Sequence, residues 1–184
     1  MSALEQLQTE DAGDSAERLW REALDAFRAR DYEQAARLMQ AMLAECGEGS
    51  GGVDAAVVRQ QLGVTLLRLK RTDEGVAELM RSVRLNPYDG RTRYKLGIGY
   101  SRLGRKEEAL EQLRQSVKLS PQVADHHWRL SEELRRQGVE LEALEEVREA
   151  LALDPNHADA QETLKALKGA RVRSVLRWVG RRLA

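Results

Sequence analysis

The sequence predicts an all-α fold built from a repeated helix-turn-helix unit, and three observations carry that prediction. Leu, Ala, Glu, Arg and Gln are abundant in a chain that is 42% apolar and 33% charged, and these residues lose least on entering a helix. No run alternates apolar with polar side chains in the manner of a half-buried strand. The three prolines, Pro87, Pro121 and Pro155, stand 34 residues apart, which marks a repeat. At 184 residues the chain is long enough for one cored domain.

Each proline closes the same phrase: Leu85-Asn86-Pro87, Leu119-Ser120-Pro121 and Leu153-Asp154-Pro155. Proline cannot continue a helix and restricts the residue before it, so each phrase ends a helix and opens a turn. Other positions keep the register. Leu62-Gly63, Leu96-Gly97 and Leu130-Ser131 are followed by Leu66, Tyr100 and Leu134. Farther on come the small Gly75, Ala109 and Ala143, then Leu79, Leu113 and Val147. Small residues suit a close helix crossing, and large ones three or four positions away share its face. Gly104 and Gly138 fall between the two helices of their repeats, where a C-cap is expected.

Taken in order, residues 1–14 form an acidic N-terminal extension and 15–170 the repeat array. The repeats span about 16–47, 56–89, 90–123 and 124–157. The first is legible in Leu19, Ala23 and Phe27 followed by Asp31-Tyr32-Glu33-Gln34-Ala35, but it lacks the proline. A glycine-rich insert ending it, Gly47 to Gly52, shifts the register by six residues and reads as a joint. Residues 158–169 open a fifth unit as a capping helix, with Gln161, Glu162, Lys165 and Lys168 on a polar outer face. Residues 171–184 are a basic amphipathic helix by pattern, with Val172, Val175, Leu176, Val179 and Leu183 on one stripe.

The unit resembles the tetratricopeptide repeat, whose pattern is Leu-Gly then Tyr in the first helix, Ala then an aromatic in the second, and a closing proline. The resemblance covers residues 56–157 without a gap, and the first repeat more weakly. It implies a right-handed α-solenoid of about four repeats with the first helix of each pair lining one concave groove. On that assignment Trp20, Gln60, Tyr94 and Trp128 share one level, and Arg21, Gln61, Lys95 and Arg129 the next. Leu24, Val64 and Ile98 follow, then Arg28, Arg68, Arg102 and Arg136. Aromatics flanked by arginines are the residue types of binding hot spots, and arginine grips carboxylates with two hydrogen bonds. The expected ligand is therefore a protein or peptide segment with acidic and apolar residues. The plainer alternative packs Trp20 and Trp128 between repeats and leaves the arginines in solvent. Some family members clamp the terminal carboxylate of heat-shock chaperones. Here Arg91, Lys95 and Arg129 are basic as that clamp requires, but Val57, Gln61 and Asp125 replace its other polar groups.

The tail carries Arg171, Arg173, Arg177, Arg181 and Arg182, with Trp178 nearer its polar side. Such a helix lies on an anionic membrane or binds an acidic partner; equally, its stripe docks on the preceding helix. Arg177 stands where a regular second helix has its small residue. The net charge of zero hides a segregation, because residues 1–55 hold 12 acids and 5 bases while the tail has no acid. That asymmetry points to charged partners or self-association and not to nucleic acid.

No phosphate loop, nucleophile elbow or Cys-His cluster occurs, so neither an enzyme nor a cofactor is expected. His126 and His127 are adjacent, point about 100° apart on a helix and do not share a metal easily; they are expected in solvent. His157 is expected as a turn residue. Cys46 is the single cysteine and forms no internal disulfide. Without a secretion signal or a ~20-residue apolar run, the expected location is cytoplasmic, including the inner face of a membrane. The expected function is a non-catalytic interaction scaffold; the alternative is a membrane-surface or self-assembling component acting through its tail.

Overall fold

In the computed structural model, residues 3–46 and 53–169 are described, with side chains from residue 15 onward apart from Cys46. All regular structure among them is helical: α1 (Ala3–Arg28), α2 (Tyr32–Cys46), α3 (Ala55–Arg68), α4 (Thr72–Leu85), α5 (Gly90–Arg102), α6 (Lys106–Leu119), α7 (Ala124–Arg136) and α8 (Glu140–Leu153). A further helix, α9, covers 158–169. The boundary drawn at residue 14 on composition falls inside α1, which is continuous from Ala3. The glycine insert and the basic tail lie outside the described residues. The chain divides into two units, Met1–Gly104 and Arg105–Ala184.

In the first unit, α1 pairs with α2 and α3 with α4, and α5 packs on α4. Ala16, Ala23, Ala35 and Met39 form one buried cluster with Val58, Leu62 and Leu66 of α3. The first repeat therefore stacks on the second. Thr65 and Met39 meet at 4.0 Å across that junction, and Arg71 reaches Glu33 at 3.9 Å. The crossing of α3 and α4 depends on Gly63 and Gly75. A Cβ on Gly63 would lie 2.7 Å from Leu79 Cγ and 2.9 Å from the Gly75 carbonyl, so no side chain fits there. Arg59 and Glu78, both largely buried, pair at 2.9 Å between the same helices. The Ser82 hydroxyl donates to the Ala56 carbonyl at 2.7 Å.

The turns inside the pairs share one form. Arg30, Lys70, Gly104 and Gly138 all have positive φ, at 64°, 62°, 73° and 79°. In three of these turns the residue after it donates back to a helix carbonyl: Asp31 to Ala26, Arg71 to Leu66 and Val139 to Leu134. This left-handed cap satisfies carbonyls that a helix end leaves open. The last three stand 34 residues apart and Arg30 stands 40 before Lys70, so the six-residue insert leaves the helix-turn-helix geometry of the first repeat unchanged.

In the second unit, α6 packs on α7 and α7 on α8. Leu113, Leu130, Leu134, Ala143, Val147 and Ala160 are fully or almost fully buried. The two adjacent histidines are buried too, at 5% and 7% exposure, contrary to the expectation of solvated side chains. They sit on the part of α7 that faces its neighbours. His126 Nδ1 lies 2.9 Å from the Ser116 hydroxyl of α6. His127 Nδ1 lies 2.8 Å from Glu146 of α8, and its Nε2 lies 3.0 Å from the Pro121 carbonyl. Buried polar rings persist only with such partners.

Candidate functional site

The first helices of the pairs carry the residues that the sequence assigns to a ligand-binding face. Within the first unit, α3 and α5 are tied by a hydrogen-bond network. Gln60 Nε2 donates to Asp89 at 2.7 Å, and Asp89 also caps α5 by accepting the Arg91 backbone N–H at 2.9 Å. Gln60 thus fixes the spacing of two first helices. Arg102 Nη1 donates to the Leu67 carbonyl at 2.8 Å, closing the C-terminal end of α3 against α5. Trp20 is half-buried against the first hydrophobic cluster and contributes to packing.

Around these ties, Gln61, Val64, Tyr94, Lys95 and Ile98 are half-buried. The Lys95 ammonium sits 5.0 Å from the centre of the Tyr94 ring, within cation–π range. Arg68 and Arg91 are exposed, and Arg21 and Arg28 are exposed beside Glu17 and Asp25 at 4.0 and 2.9 Å. The successive first helices of the unit carry an aromatic, apolar side chains and cations.

The second unit has different chemistry. Trp128 donates its indole N–H to Thr163 Oγ1 at 3.2 Å, and its ring tilts against His157 at 5.3 Å. The two contacts join α7 to the middle of α9 and to the residue that precedes it. Beside them lies an open cleft of about 250 Å³ lined by Trp128, Glu132, Arg135, Asp159, Glu162, Thr163 and Ala166. Three carboxylates face one guanidinium there, opposite to the basic stripe expected from Arg129 and Arg136. Arg129 is half-buried, and Arg136 pairs with Glu133 at 3.7 Å. Burial pushes the Glu132 carboxyl up, but hydrogen bonds from Arg135 and Thr163 and the charges of Arg135 and Arg136 outweigh it, so its pKa lies below the ordinary value.

By pattern α9 is a capping helix with Glu162 on its polar outer face, whereas in the structure Glu162 and Thr163 line the cleft. The signal was present, because one further 34-residue step carries Trp128 to Glu162 and Arg129 to Thr163. His157, expected as a turn residue, is the N-cap of α9: its Nδ1 accepts the Ala160 backbone N–H at 3.3 Å, and its Nε2 lies 3.0 Å from Asp125. No group of three potential metal ligands occurs among the described residues, and no described helix is long and apolar enough to cross a membrane.

These features define an α-helical repeat protein. A model described as bacterial transcriptional activator domain matches residues 2–122, and one described as tetratricopeptide repeat matches 94–158. The chain is a tetratricopeptide-repeat protein and, with well over half its length matched, belongs to the bacterial transcriptional activator domain family. No curated protein matches the sequence. Among solved structures it is similar to YrrB, a tetratricopeptide protein described as having an unusual peptide-binding site. The identity is 22%, over 82% of this chain and 74% of that one, with a TM-score of 0.71. It is similar also to MamA from Desulfovibrio magneticus, at 18% identity over 86% of both chains and a TM-score of 0.77. The first tetratricopeptide domain of Spaghetti, bound to an HSP90 peptide, is 19% identical over 64% of this chain and 94% of that one, with a TM-score of 0.62. Likeness at this level establishes the all-α solenoid class.

Proposed function

We propose that the chain is a non-catalytic interaction scaffold that holds an acidic and apolar peptide segment on the first helices of its N-terminal unit. One observation carries this reading: Tyr94, Lys95, Ile98, Gln61 and Val64 stay half-buried around cations, although their helices are already locked by Gln60–Asp89 and Arg102–Leu67. Similarity to structures described with a peptide site or a bound peptide supports the same class of ligand. The activator-domain match names a setting for such a scaffold and not a chemistry. The acidic cleft beside Trp128 stands outside the proposal, since its charge repels such a segment.

The test is an array of twelve-residue peptides graded in Asp/Glu and Leu/Phe content. It is probed with the full chain and with a variant carrying Arg21→Glu, Arg68→Glu and Arg91→Glu. Preferential capture of acidic-apolar peptides, lost in the variant at an unchanged Tm, supports the reading. A preference for basic peptides, or equal capture by the variant, overturns it.

A further inference from the structure

The cleft lined by α7 and α9 differs in chemistry from the face carried by α5. In the 34-residue register Asp159 corresponds to Arg91, Glu162 to Tyr94 and Glu132 to Ile98, so positions that hold a cation and apolar groups on α5 hold carboxylates here. The aromatic of that level is kept, because Trp128 stands one step after Tyr94. Two parts of the lining are fixed by the fold. Trp128 is half-buried, with its indole N–H on Thr163 Oγ1 at 3.2 Å and its ring tilted against His157. Glu132 accepts from Arg135 Nε at 3.0 Å, from Arg135 Nη2 at 3.1 Å and from Thr163 Oγ1 at 2.8 Å, so the guanidinium of the lining is committed to one carboxylate.

Asp159 and Glu162 are a different case. Three residues apart on one face of α9, both are exposed, and neither has a cation within ion-pair distance among the described residues. Three carboxylates against one guanidinium leave two negative charges of the lining uncompensated, beside an indole that the fold already holds in place.

We propose that this cleft is a recognition pocket for an arginine side chain of a basic partner peptide. A guanidinium stacks on an indole and gives a carboxylate two parallel hydrogen bonds, whereas a lysine ammonium offers only a compact point charge. The size fits one long side chain: about 250 Å³ lies below the ~300–1,000 Å³ of pockets that enclose a whole small molecule. Charge complementarity selects the partner, since Asp159 and Glu162 repel an acidic segment and attract a basic one. The site lies wholly in the second unit and stands or falls independently of the acidic and apolar ligand proposed for the first.

The test titrates the full chain with a fluorescent twelve-residue peptide bearing three arginines spaced by Gly and Ser, beside its lysine and glutamate counterparts. Anisotropy at low salt, where exposed charges are least screened, gives the affinities. The arginine peptide should bind roughly threefold tighter than the lysine peptide. The double variant Asp159→Asn, Glu162→Gln should lose roughly tenfold toward the arginine peptide at an unchanged Tm, because both side chains are exposed. The Trp128 indole N–H cross-peak in ¹H–¹⁵N spectra, identified by its loss in Trp128→Phe, should move during the titration. Three results overturn the proposal: no binding of the arginine peptide, equal affinity of the double variant, or preference for the glutamate peptide. A Trp128 peak that stays still while the peptide binds also overturns it, and assigns the peptide to another acidic surface.

Discussion

The Nδ1 of His157 accepts the backbone N–H of Ala160 at 3.3 Å, making a histidine the N-cap of α9. The same ring points Nε2 at Asp125, 3.0 Å away, and tilts against Trp128. One side chain thereby starts α9 and fixes it to α7. His157→Ala should cost about 1 kcal/mol from the cap alone. His157→Asn keeps a capping oxygen and should recover most of that loss. Urea midpoints of the three chains, at constant m-value, decide it.

The proline register made the repeats legible, and with them the small residues at the crossings and the glycine C-caps. What the register could not give was the environment of each side chain. The sequence places Trp20 and Trp128 on the ligand face, with packing as the plainer alternative, and the structure gives them packing contacts: Trp20 in the first cluster, Trp128 on Thr163 and His157. His126 and His127 looked solvated because their partners Ser116, Glu146 and the Pro121 carbonyl sit 10, 19 and 6 residues away. Periodicity names a face of a helix, but it does not say which polar groups meet there. The acidic cleft was missed for a different reason. Residues 158–169 read as the opening of a fifth unit, but the groove positions need to be carried one repeat further, onto Glu162 and Thr163, before the cleft shows.

Two of the four inner turns place an ordinary side chain in the left-handed region, Arg30 at φ 64° and Lys70 at φ 62°. An L-residue there costs roughly 1–2 kcal/mol, while glycine pays no such steric penalty. Arg30→Gly and Lys70→Gly should each therefore stabilise by up to about 1 kcal/mol, once the extra flexibility of unfolded glycine is set against the gain. That corresponds to a rise of about 2–4 °C in Tm. Gly104→Ala and Gly138→Ala should lower Tm, although open space surrounds both positions, because the cost lies in the backbone. Calorimetry on the four variants checks the signs.

The Glu132 carboxyl, held below its ordinary pKa by Arg135 and Thr163, makes the second unit acid-sensitive. A depressed carboxylate adds stability above its unfolded pKa of about 4.3, and that contribution is lost as pH falls through the lower folded value. Unfolding free energy should fall on the acid side of that point. Glu132→Gln, which cannot ionise, should lower stability at neutral pH and flatten the acid limb of the profile. The measurement is the urea midpoint followed from pH 7 to pH 3. An unchanged acid slope in Glu132→Gln would assign the sensitivity to other carboxylates, with Glu74 and Glu108, also lowered by Arg71 and Arg105, next in line.

Arginines on the proposed binding face divide by what the fold already asks of them. Arg102 donates to the Leu67 carbonyl at 2.8 Å, a charged hydrogen bond to a helix end, and its removal leaves that carbonyl only the longer bond from the Lys70 N–H at 3.4 Å. Arg102→Ala should cost about 1–2 kcal/mol, whatever the chain binds. Arg68 and Arg91 present exposed side chains, and their alanine variants should stay within about 0.5 kcal/mol of the unmodified chain. Peptide capture should follow the opposite order, falling most in Arg68→Ala and Arg91→Ala and least in Arg102→Ala measured well below its Tm. Stability and affinity that change together across all three would mean that the arginines act through the fold, and the binding face would then lose its cationic component.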